Sequence, residues 1–214
     1  MAAARKLWIV GAGGFAAELL HTLRSVWTPG SFSTSLAFAV DAPSNEFLLG
    51  LPVGGIDEIA SGDRYTIAIG SGAVRERLHL DLMARGAEPF TVMAPTALVG
   101  RGVTMAEGGV LSDNTILTGD LKIGRQFQCN IYSYVAHNCI IGDYVTFAPR
   151  VSCNGNVYIG DHAYVGTGAV LKQGSPDNPL TIGAGATIGM GAVVTKDVPA
   201  GTVVVGNPAR PLER

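Results

Sequence analysis

Residues 129–160 read CNIYSY VAHNCI IGDYVT FAPRVS CNGNVY IG when they are divided into groups of six. Each group begins with an apolar residue, and a small residue or Asn follows it directly. A period of six matches neither the 3.6-residue period of an α-helix nor the two-residue period of a simple strand. It is typical of a solenoid in which each group forms one short strand and a turn, with the apolar residue facing inward.

The same period extends beyond this stretch. Every sixth residue from Val99 to Leu171 is apolar, and nearly all of the residues that follow them are small or Asn. Three groups would close one coil, so we expect about four coils, with small residues allowing tight corners. Residues 172–181 interrupt the period, which resumes at Ile182. We expect them to form a loop from one corner, and residues 203–211 to leave the solenoid as a cap.

The chain before residue 90 follows a different pattern. An apolar strand at residues 6–10 runs into a glycine-rich turn and a helical stretch, and two further strands are expected at 36–40 and 65–69. Strands that alternate with helices predict a parallel sheet, here of about three strands, or half of a dinucleotide fold. We therefore divide the chain into an α/β domain at residues 1–90 and a solenoid at 91–214.

Composition narrows the class of protein. The chain has 214 residues, 29 of them Gly, and 47% are hydrophobic while 15% are charged, which excludes a disordered chain. The net charge of -2 and the absence of a basic run argue against nucleic acid as a partner. No apolar stretch has the length of a membrane span, and we expect a cytoplasmic protein. Three cysteines without CxxC spacing predict buried free thiols.

His137 is the histidine best placed for chemistry. It is the third residue of its group, and Gly119 and Gly155 lie 18 residues to either side. Stacked coils would leave the imidazole in an open notch beside a bare backbone amide. Imidazole is a base near neutral pH, and the Gly155 N–H could stabilise an oxyanion, so the pair suits acyl transfer. We expect His21, His79 and His162 to have structural or solvated roles.

The amino-terminal glycines predict a phosphate site. Residues 11–16 fit the pattern G-x-G-x-x-A between a strand and a helix, where backbone N–H groups and the helix dipole attract phosphate. NAD would need a second half-fold, whereas this chain continues as a solenoid. A nucleoside diphosphate therefore suits the half-site better.

Five motifs in order resemble the NeuD/PglD-type sugar acetyltransferases. They are IVGAGG at 9–14, IAIG at 67–70 before Arg75, HNCIIGD at 137–143, CNGNV at 153–157 and VGNPA at 205–209. The family includes UDP-4-amino-sugar N-acetyltransferases and sialic-acid O-acetyltransferases. The resemblance implies a small Rossmann-like UDP-sugar-binding domain followed by an all-β left-handed parallel β-helix. It also implies an acetyl-CoA cosubstrate and a homotrimer with active sites between subunits.

By this resemblance the enzyme acetylates the amino group of a UDP-4-amino-dideoxy sugar for surface polysaccharide or glycan biosynthesis. The catalytic residues would be His137, Gly155 and Asn138, the last standing where the family often has a carboxylate. The residues that would bind the nucleotide sugar are Gly11, Gly13, Gly14, Phe15, Asp41, Gly70, Ser71, Arg75 and Asn130. Those that would bind acetyl-CoA are Thr146, Gly155, Gly166, Thr167, Gly189, Met190, Asn207 and Pro208.

Four other functions remain open. O-acetylation of a sugar hydroxyl is the nearest, because only the acceptor differs. A non-catalytic solenoid would not bind acetyl-CoA, and a nicotinamide oxidoreductase would bind NAD. A metal enzyme of the γ-carbonic-anhydrase type needs three His ligands, whereas the solenoid has only His137 and His162, so we expect no metal.

Overall fold

A computed structural model describes residues 5–27 and 35–212. In this part the chain is mostly β, with parallel sheets and two α-helices. The helices belong to the first 90 residues, and the remaining residues form short strands joined by turns.

The amino-terminal sheet has six strands in the order β3-β4-β2-β1-β5-β6. They are β1 (Lys6–Val10), β2 (Ser35–Val40), β3 (Phe47–Leu48), β4 (Leu51–Gly55), β5 (Arg64–Ile67) and β6 (Glu88–Pro89). The sequence analysis expected about three strands. It missed β3 and β6 because two residues are too few to show an alternating pattern, and β4 because it contains Pro52 and two glycines.

Two α-helices cover opposite faces of this sheet. Helix α1 (Gly14–Val26) packs Leu19 and Leu23 against Ile9, while α2 (Gly72–Ala84) packs in the cluster that contains Trp8 and Val10. Side chains alternate across a strand, so neighbouring residues of β1 face different helices. A short 3-10 helix, Ile56–Glu58, follows β4.

Three parallel sheets form the rest of the chain. The first face contains β7 (Val92–Met93), β10 (Val110–Leu111), β13 (Gln128–Cys129), β16 (Thr146–Phe147), β19 (Tyr164–Val165), β22 (Thr187–Ile188) and β24 (Val203–Val205), with β25 (Arg210–Pro211) antiparallel at its edge. The second face contains β8 (Leu98–Val99), β11 (Ile116–Leu117), β14 (Tyr134–Val135), β17 (Ser152–Cys153), β20 (Val170–Leu171) and β23 (Val193–Val194). The third face contains β9 (Val103–Met105), β12 (Leu121–Ile123), β15 (Ile140–Ile141), β18 (Val157–Ile159) and β21 (Leu180–Ile182).

Most strands pair with the strand 18 residues further along the chain. Gln128 pairs with Thr146 on the first face, and Tyr134 pairs with Ser152 on the second. This register equals the coil length expected from the period of six. The loop is shorter than expected, because Leu180 and Thr181 already pair with β18. The carboxyl-terminal residues also differ from the expected cap. Strand β24 still pairs with β22 on the first face, and the chain turns back only after β24.

The apolar period marks the interior. From Leu111 to Leu171 every sixth residue is buried, and the apolar side chains of the three faces form one core. The first two positions of the period are not buried in this way, because Val99 is 45% exposed and Met105 is half-buried at the first coil.

The corners are not formed by the small residues of the repeat, as the sequence predicted. The left-handed backbone conformation recurs every six residues, but three positions after the apolar residue, where most residues are not Gly: Asn114, Asp120, Gln126, Tyr132, Asn138, Tyr144, Arg150, Asn156 and His162. The small residue directly after the apolar one serves another purpose. A Cβ on Gly142 or Gly166 would lie 2.9 Å or less from backbone atoms of the next coil, so stacking requires its absence.

Arg75 joins the two parts of the chain. Its guanidinium is fully buried and donates to the carbonyl oxygens of Ile69, Gly70, Gln126, Tyr144 and Val145 and to Gln128 Oε1. Burial lowers the pKa of Arg75 to about 9, so the side chain stays charged at neutral pH. The sequence-based assignment of Arg75 to substrate binding is therefore wrong, because every one of its donors already has a partner inside the protein.

Candidate active site

The imidazole of His137 lies directly over Gly155. A Cβ built on Gly155 would fall 2.5 Å from Cε1 and 2.6 Å from Nε2 of the ring. His137 follows β14 and Gly155 follows β17, so both residues lie at the corner between the second and third faces, one coil apart. The side chain of His137 is exposed, whereas Gly155 is buried beneath it. Only a glycine at position 155 leaves room for this ring.

Asn138 orients the ring. It occupies the left-handed corner position with φ of 60°, a conformation that Asn tolerates better than most residues. Its Oδ1 lies 2.7 Å from His137 Nδ1. An amide oxygen can only accept, so this contact places the ring proton on Nδ1 and leaves the Nε2 lone pair free. The arrangement provides a base at Nε2 without a neighbouring carboxylate.

The Gly155 N–H points away from the core. The preceding carbonyl, that of Asn154, accepts a hydrogen bond at 3.2 Å from the thiol of Cys139, which is 1% exposed. The peptide is trans, and in a trans peptide C=O and N–H point in opposite directions. Among the hydrogen bonds of the described residues, none uses the Gly155 N–H as donor. It therefore has no acceptor within the described part of the chain.

Apart from Gly155 and Thr146, the residues expected to bind acetyl-CoA lie at a different corner. Gly166 and Thr167 follow β19 and Gly189 and Met190 follow β22, so they lie between the first and second faces. The exposed Asn207 and Pro208 follow β24 of the same face. Thr167 and Met190 are exposed, the latter to 81%. Within one chain these residues line one corner and His137 and Gly155 line the next.

Two further sequence-based assignments are affected by burial. Thr146, expected near acetyl-CoA, is 2% exposed and donates to the Gly70 carbonyl at 2.9 Å, so it belongs to the junction between the two parts. That assignment is wrong for the same reason as for Arg75. Asn130 follows β13 and donates to the Phe147 carbonyl, while its Oδ1 is buried without a partner among the described residues. Asn130 and His137 lie at different corners of their coil.

The amino-terminal sheet has an open edge at the carboxyl ends of β1, β2 and β5. Gly11, Asp41 and Gly70 each follow one of these strands, and this edge is where parallel α/β sheets bind ligands. A Cβ on Gly13, Gly14 or Gly70 would meet nothing within 4 Å, so the space before α1 is open.

Helix α1 begins without a side-chain cap. Gly13 occupies the N-cap position and no acidic residue lies in the first turn, so the first N–H groups have no protein acceptor of that kind. Phe15, in the first turn of α1, is partly buried against the core. Ser71 has a structural contact of its own, since its hydroxyl accepts from Val74 N at the start of α2.

A cavity of about 520 Å³ opens beside this edge. It is lined by Asp41, Ile56, Asp57, Arg77, Leu78, Asp81 and Arg85. A smaller cavity of about 120 Å³ continues it to Gly11, and Asp41 and Arg77 line both. Arg77 was not predicted from the sequence, because an exposed Arg on a helix has no motif that separates it from other surface charges.

Two lysines, Lys172 and Lys196, line a cavity near His137. This cavity of about 280 Å³ is lined by Lys172, by the loop that follows it and by residues 195–197, which include Lys196 and the acidic Asp197. Lys172 follows β20 and Lys196 follows β23, which places both at the corner that carries His137 and Gly155. Gly174 of the loop donates to the Gly155 carbonyl at 3.0 Å, so the loop touches the site. The sequence analysis did not assign either lysine.

Two of the other histidines have structural contacts, whereas His21 is exposed on α1. His79 is 1% exposed and bonds to the Tyr65 hydroxyl at 2.8 Å, and burial lowers its pKa. His162 stacks on Tyr144 and pairs with Glu76 at 3.3 Å. Within residues 5–27 and 35–212, no group of three His, Cys, Asp or Glu side chains could hold a metal ion. In the same residues, neither helix has the length and apolar character of a membrane span.

Comparison with known proteins identifies the family. No protein-family model matches the chain. Over 215 residues it is 42% identical to a GDP-perosamine N-acetyltransferase of Escherichia coli, with 96% of each protein covered. The chain belongs to the hexapeptide-repeat sugar N-acetyltransferases. The prediction of an acyltransferase is thereby confirmed.

Solved structures of similar proteins agree with this family. WeeI from Acinetobacter baumannii superposes with a TM-score of 0.91 and 47% identity, over 97% of this chain and all of that one. PerB from Caulobacter crescentus, solved in complex with CoA and GDP-perosamine, superposes with a TM-score of 0.86 and 26% identity. That comparison covers 99% of this chain and 100% of PerB.

Proposed function

We propose that this protein transfers the acetyl group of acetyl-CoA to the amino group of a GDP-linked 4-amino sugar. The observation that carries the proposal is the position of the His137 ring over Gly155, a base beside an unpaired N–H, in a chain of this family. The amino acceptor is favoured over the hydroxyl of an O-acetyltransferase because the relative that matches this chain end to end is named as an N-acetyltransferase.

In the proposed reaction the sugar amine attacks the thioester carbon of acetyl-CoA. His137 Nε2 takes the proton that the amine loses, and Asn138 Oδ1 holds the opposite side of the ring by accepting from Nδ1–H. The Gly155 N–H donates to the carbonyl oxygen as its negative charge develops. CoA thiolate leaves when the tetrahedral intermediate collapses. No covalent enzyme intermediate is needed, because an amine attacks a thioester directly, and all three thiols are buried.

We propose that the nucleotide lies at the open edge of the amino-terminal sheet. Its diphosphate would face the first turn of α1, where Gly13 and Gly14 leave space and free N–H groups attract negative charge. The base and ribose would extend toward Asp41 and Arg77 in the 520 Å³ cavity. The resemblance to the NeuD/PglD-type family implied UDP as the nucleotide. The names of the E. coli relative and of the PerB complex favour GDP.

The finer architecture is part of the proposal. Residues 1–90 would form a Rossmann-like nucleotide-binding domain, and residues 91–214 a left-handed parallel β-helix. Three chains would pack side by side, with acetyl-CoA between two of them. The corner with His137 and Gly155 in one subunit would then face the corner with Gly166, Thr167, Gly189 and Met190 in its neighbour. This arrangement unites two sets of residues that a single chain keeps apart.

Acetyl-CoA would extend from His137 toward the loop at residues 172–179. The phosphates of CoA need positive partners, and Lys172 and Lys196 provide two at the same corner. Both lysines are exposed, so they suit a flexible, solvated anion rather than a buried structural ion pair.

The decisive experiment is a panel of acceptors with acetyl-CoA as donor. The purified protein is incubated with GDP-linked and UDP-linked 4-amino sugars and with a sugar that offers only hydroxyl groups. Free thiol release gives the rate, and mass spectrometry of the product gives the acylated atom. We expect N-acetylation of the GDP-linked sugar to be the fastest. A His137→Ala variant that keeps full activity would exclude the proposed mechanism. Faster transfer to UDP-linked than to GDP-linked sugars would favour UDP, the nucleotide expected from the sequence.

A further inference from the structure

The thiol of Cys139 lies on the core side of His137 and Gly155. Cys139 directly precedes β15 on the third face and is 1% exposed. The residues at the same place one coil away are Leu121 and Val157, both aliphatic and buried. A thiol therefore stands where the neighbouring coils have hydrocarbon, and it contacts the backbone of the candidate active site.

This thiol contacts the backbone of both halves of the site. Cys139 Sγ donates to the Asn154 carbonyl at 3.2 Å, accepts from Val157 N at 3.4 Å and lies 3.6 Å from the His137 carbonyl. Among the described residues the Asn154 carbonyl has one other donor, the thiol of Cys153, at a longer 3.8 Å. The Cys139 thiol is thus the nearer of the two groups that hold this carbonyl.

The peptide between Asn154 and Gly155 needs such a restraint. Glycine has no Cβ, so its backbone reaches conformations that other residues do not, and the peptide before it rotates more freely. Gly155 has no side chain to fix it, and its own N–H has no partner within the described part of the chain. If the Asn154 carbonyl turned away from the core, the N–H would turn inward with it.

We propose that Cys139 is a positioning residue whose thiol holds the Asn154–Gly155 peptide with its N–H directed outward at the acetyl oxygen. This inference rests on the proposed function, because the outward N–H matters for catalysis only if it stabilises an oxyanion. Cys139 itself touches neither substrate. It acts through the peptide, and its loss would lower the rate of the chemical step while leaving the binding surfaces in place.

Three variants separate this role from a packing role. Cys139→Val removes the donor and places in this coil the residue that stands at position 157 in the next. Cys139→Ser keeps a donor at the same place. Cys129→Val is the matched control, because Cys129 is equally buried in the same core and its thiol makes no hydrogen bond within the described residues.

The first measurement does not depend on catalysis. Asn154-Gly155 is the only Asn-Gly pair in the sequence. Protein labelled with carbonyl-13C Asn and 15N Gly therefore gives a single HNCO cross-peak, which reports the Asn154 carbonyl and the Gly155 amide. We expect Cys139→Val to move both shifts, and Cys139→Ser and Cys129→Val to leave the peak close to its original position. A peak that stays in place in Cys139→Val would overturn the proposed restraint, whether or not the protein is an acetyltransferase.

The second measurement is the split between kcat and KM. We expect Cys139→Val to lower kcat roughly tenfold to a hundredfold, the effect of a misaligned catalytic group, with KM for both substrates within about twofold of the original. Cys139→Ser should recover most of that loss, and Cys129→Val should retain kcat. Equal losses in the serine and valine variants, or an equal loss in Cys129→Val, would show that packing alone is affected. A moved peak with unchanged kcat would reject the oxyanion role of Gly155 and keep the restraint.

Discussion

The ring of His137 rests on the Cα of Gly155, and the two residues belong to successive coils at one corner. The relationship follows from the 18-residue register, which stacks residue 155 above residue 137. Because neither residue has a role in the core packing of its coil, the contact can change without loss of the fold. Activity and stability should therefore separate in variants of this pair.

Gly155→Ala should lower kcat by roughly a hundredfold, because the new Cβ would fall 2.5 Å from the imidazole and displace it. The exposed ring can move outward, so the melting temperature should stay within a few degrees. Steady-state kinetics and a thermal melt test both statements. An alanine variant with unchanged kcat would show that catalysis does not require the ring to lie over residue 155.

Asn138→Asp should shift the acidic limb of the pH–rate profile to higher pH. A carboxylate beside Nδ1 stabilises the protonated ring, so a higher pH is needed to obtain the neutral base. Asn138→Leu, which removes the acceptor without adding charge, should lower kcat across the whole profile without the shift. Profiles of kcat/KM for both variants provide the test. Identical profiles for Asp and Leu would show that Oδ1 does not contact the base during catalysis.

Much of the register and core of the three parallel sheets could be predicted from the sequence, because the period of six records which side chains face inward. Leu111, Val135 and Leu171 are buried as that period requires. The prediction failed where the period carries no information. The left-handed corner residues are mostly polar and chemically diverse, so Asn138 and His162 share a backbone conformation that composition does not reveal.

The candidate site could be predicted only in part, for a similar reason. His137 and Gly155 are one coil apart in sequence, so the register alone brings them together. Arg75 and Thr146 both donate to the Gly70 carbonyl only because the amino-terminal sheet packs on the later strands, a contact that no local pattern encodes. The buried donor Cys139 resembled a hydrophobic core residue because its interaction is with backbone carbonyls.

Gly13→Asp should have opposite effects on stability and on substrate binding. Asp is a better N-cap residue than Gly, and Gly13 has extended dihedrals with open space, so stability should rise by a few tenths of a kcal/mol. The same carboxylate would occupy the proposed diphosphate site and repel the diphosphate. We expect KM for the nucleotide sugar to rise at least tenfold, which corresponds to roughly the energy of one charge-assisted contact. Gly13→Ser caps the helix without charge and is the control. Equal KM values in the two variants would place the diphosphate elsewhere.

Lys196→Ala should raise KM for acetyl-CoA about threefold to fivefold, the usual scale of an exposed ionic contact, and leave kcat unchanged. The difference from the original protein should shrink as salt is added, because exposed charges are screened. Lys122→Ala on β12 removes an exposed lysine outside the cavity and should change neither constant. An equal response from both lysines would point to general electrostatic attraction rather than a binding contact.

Stability should decrease as the pH falls below about 6.5, and His79 should be the main cause in that range. Burial lowers the pKa of His79 below its ordinary value, against the smaller opposite influence of Glu107, while Arg125 lowers it further. The unfolded chain then binds a proton that the folded protein does not, so stability present above the unfolded pKa is lost at up to ~1.4 kcal/mol per pH unit. Urea unfolding at pH 7.5, 6.5 and 5.5 measures the slope. His79→Gln, which keeps a polar side chain beside the Tyr65 hydroxyl, should reduce it. An unchanged slope in that variant would assign the acid sensitivity to another group.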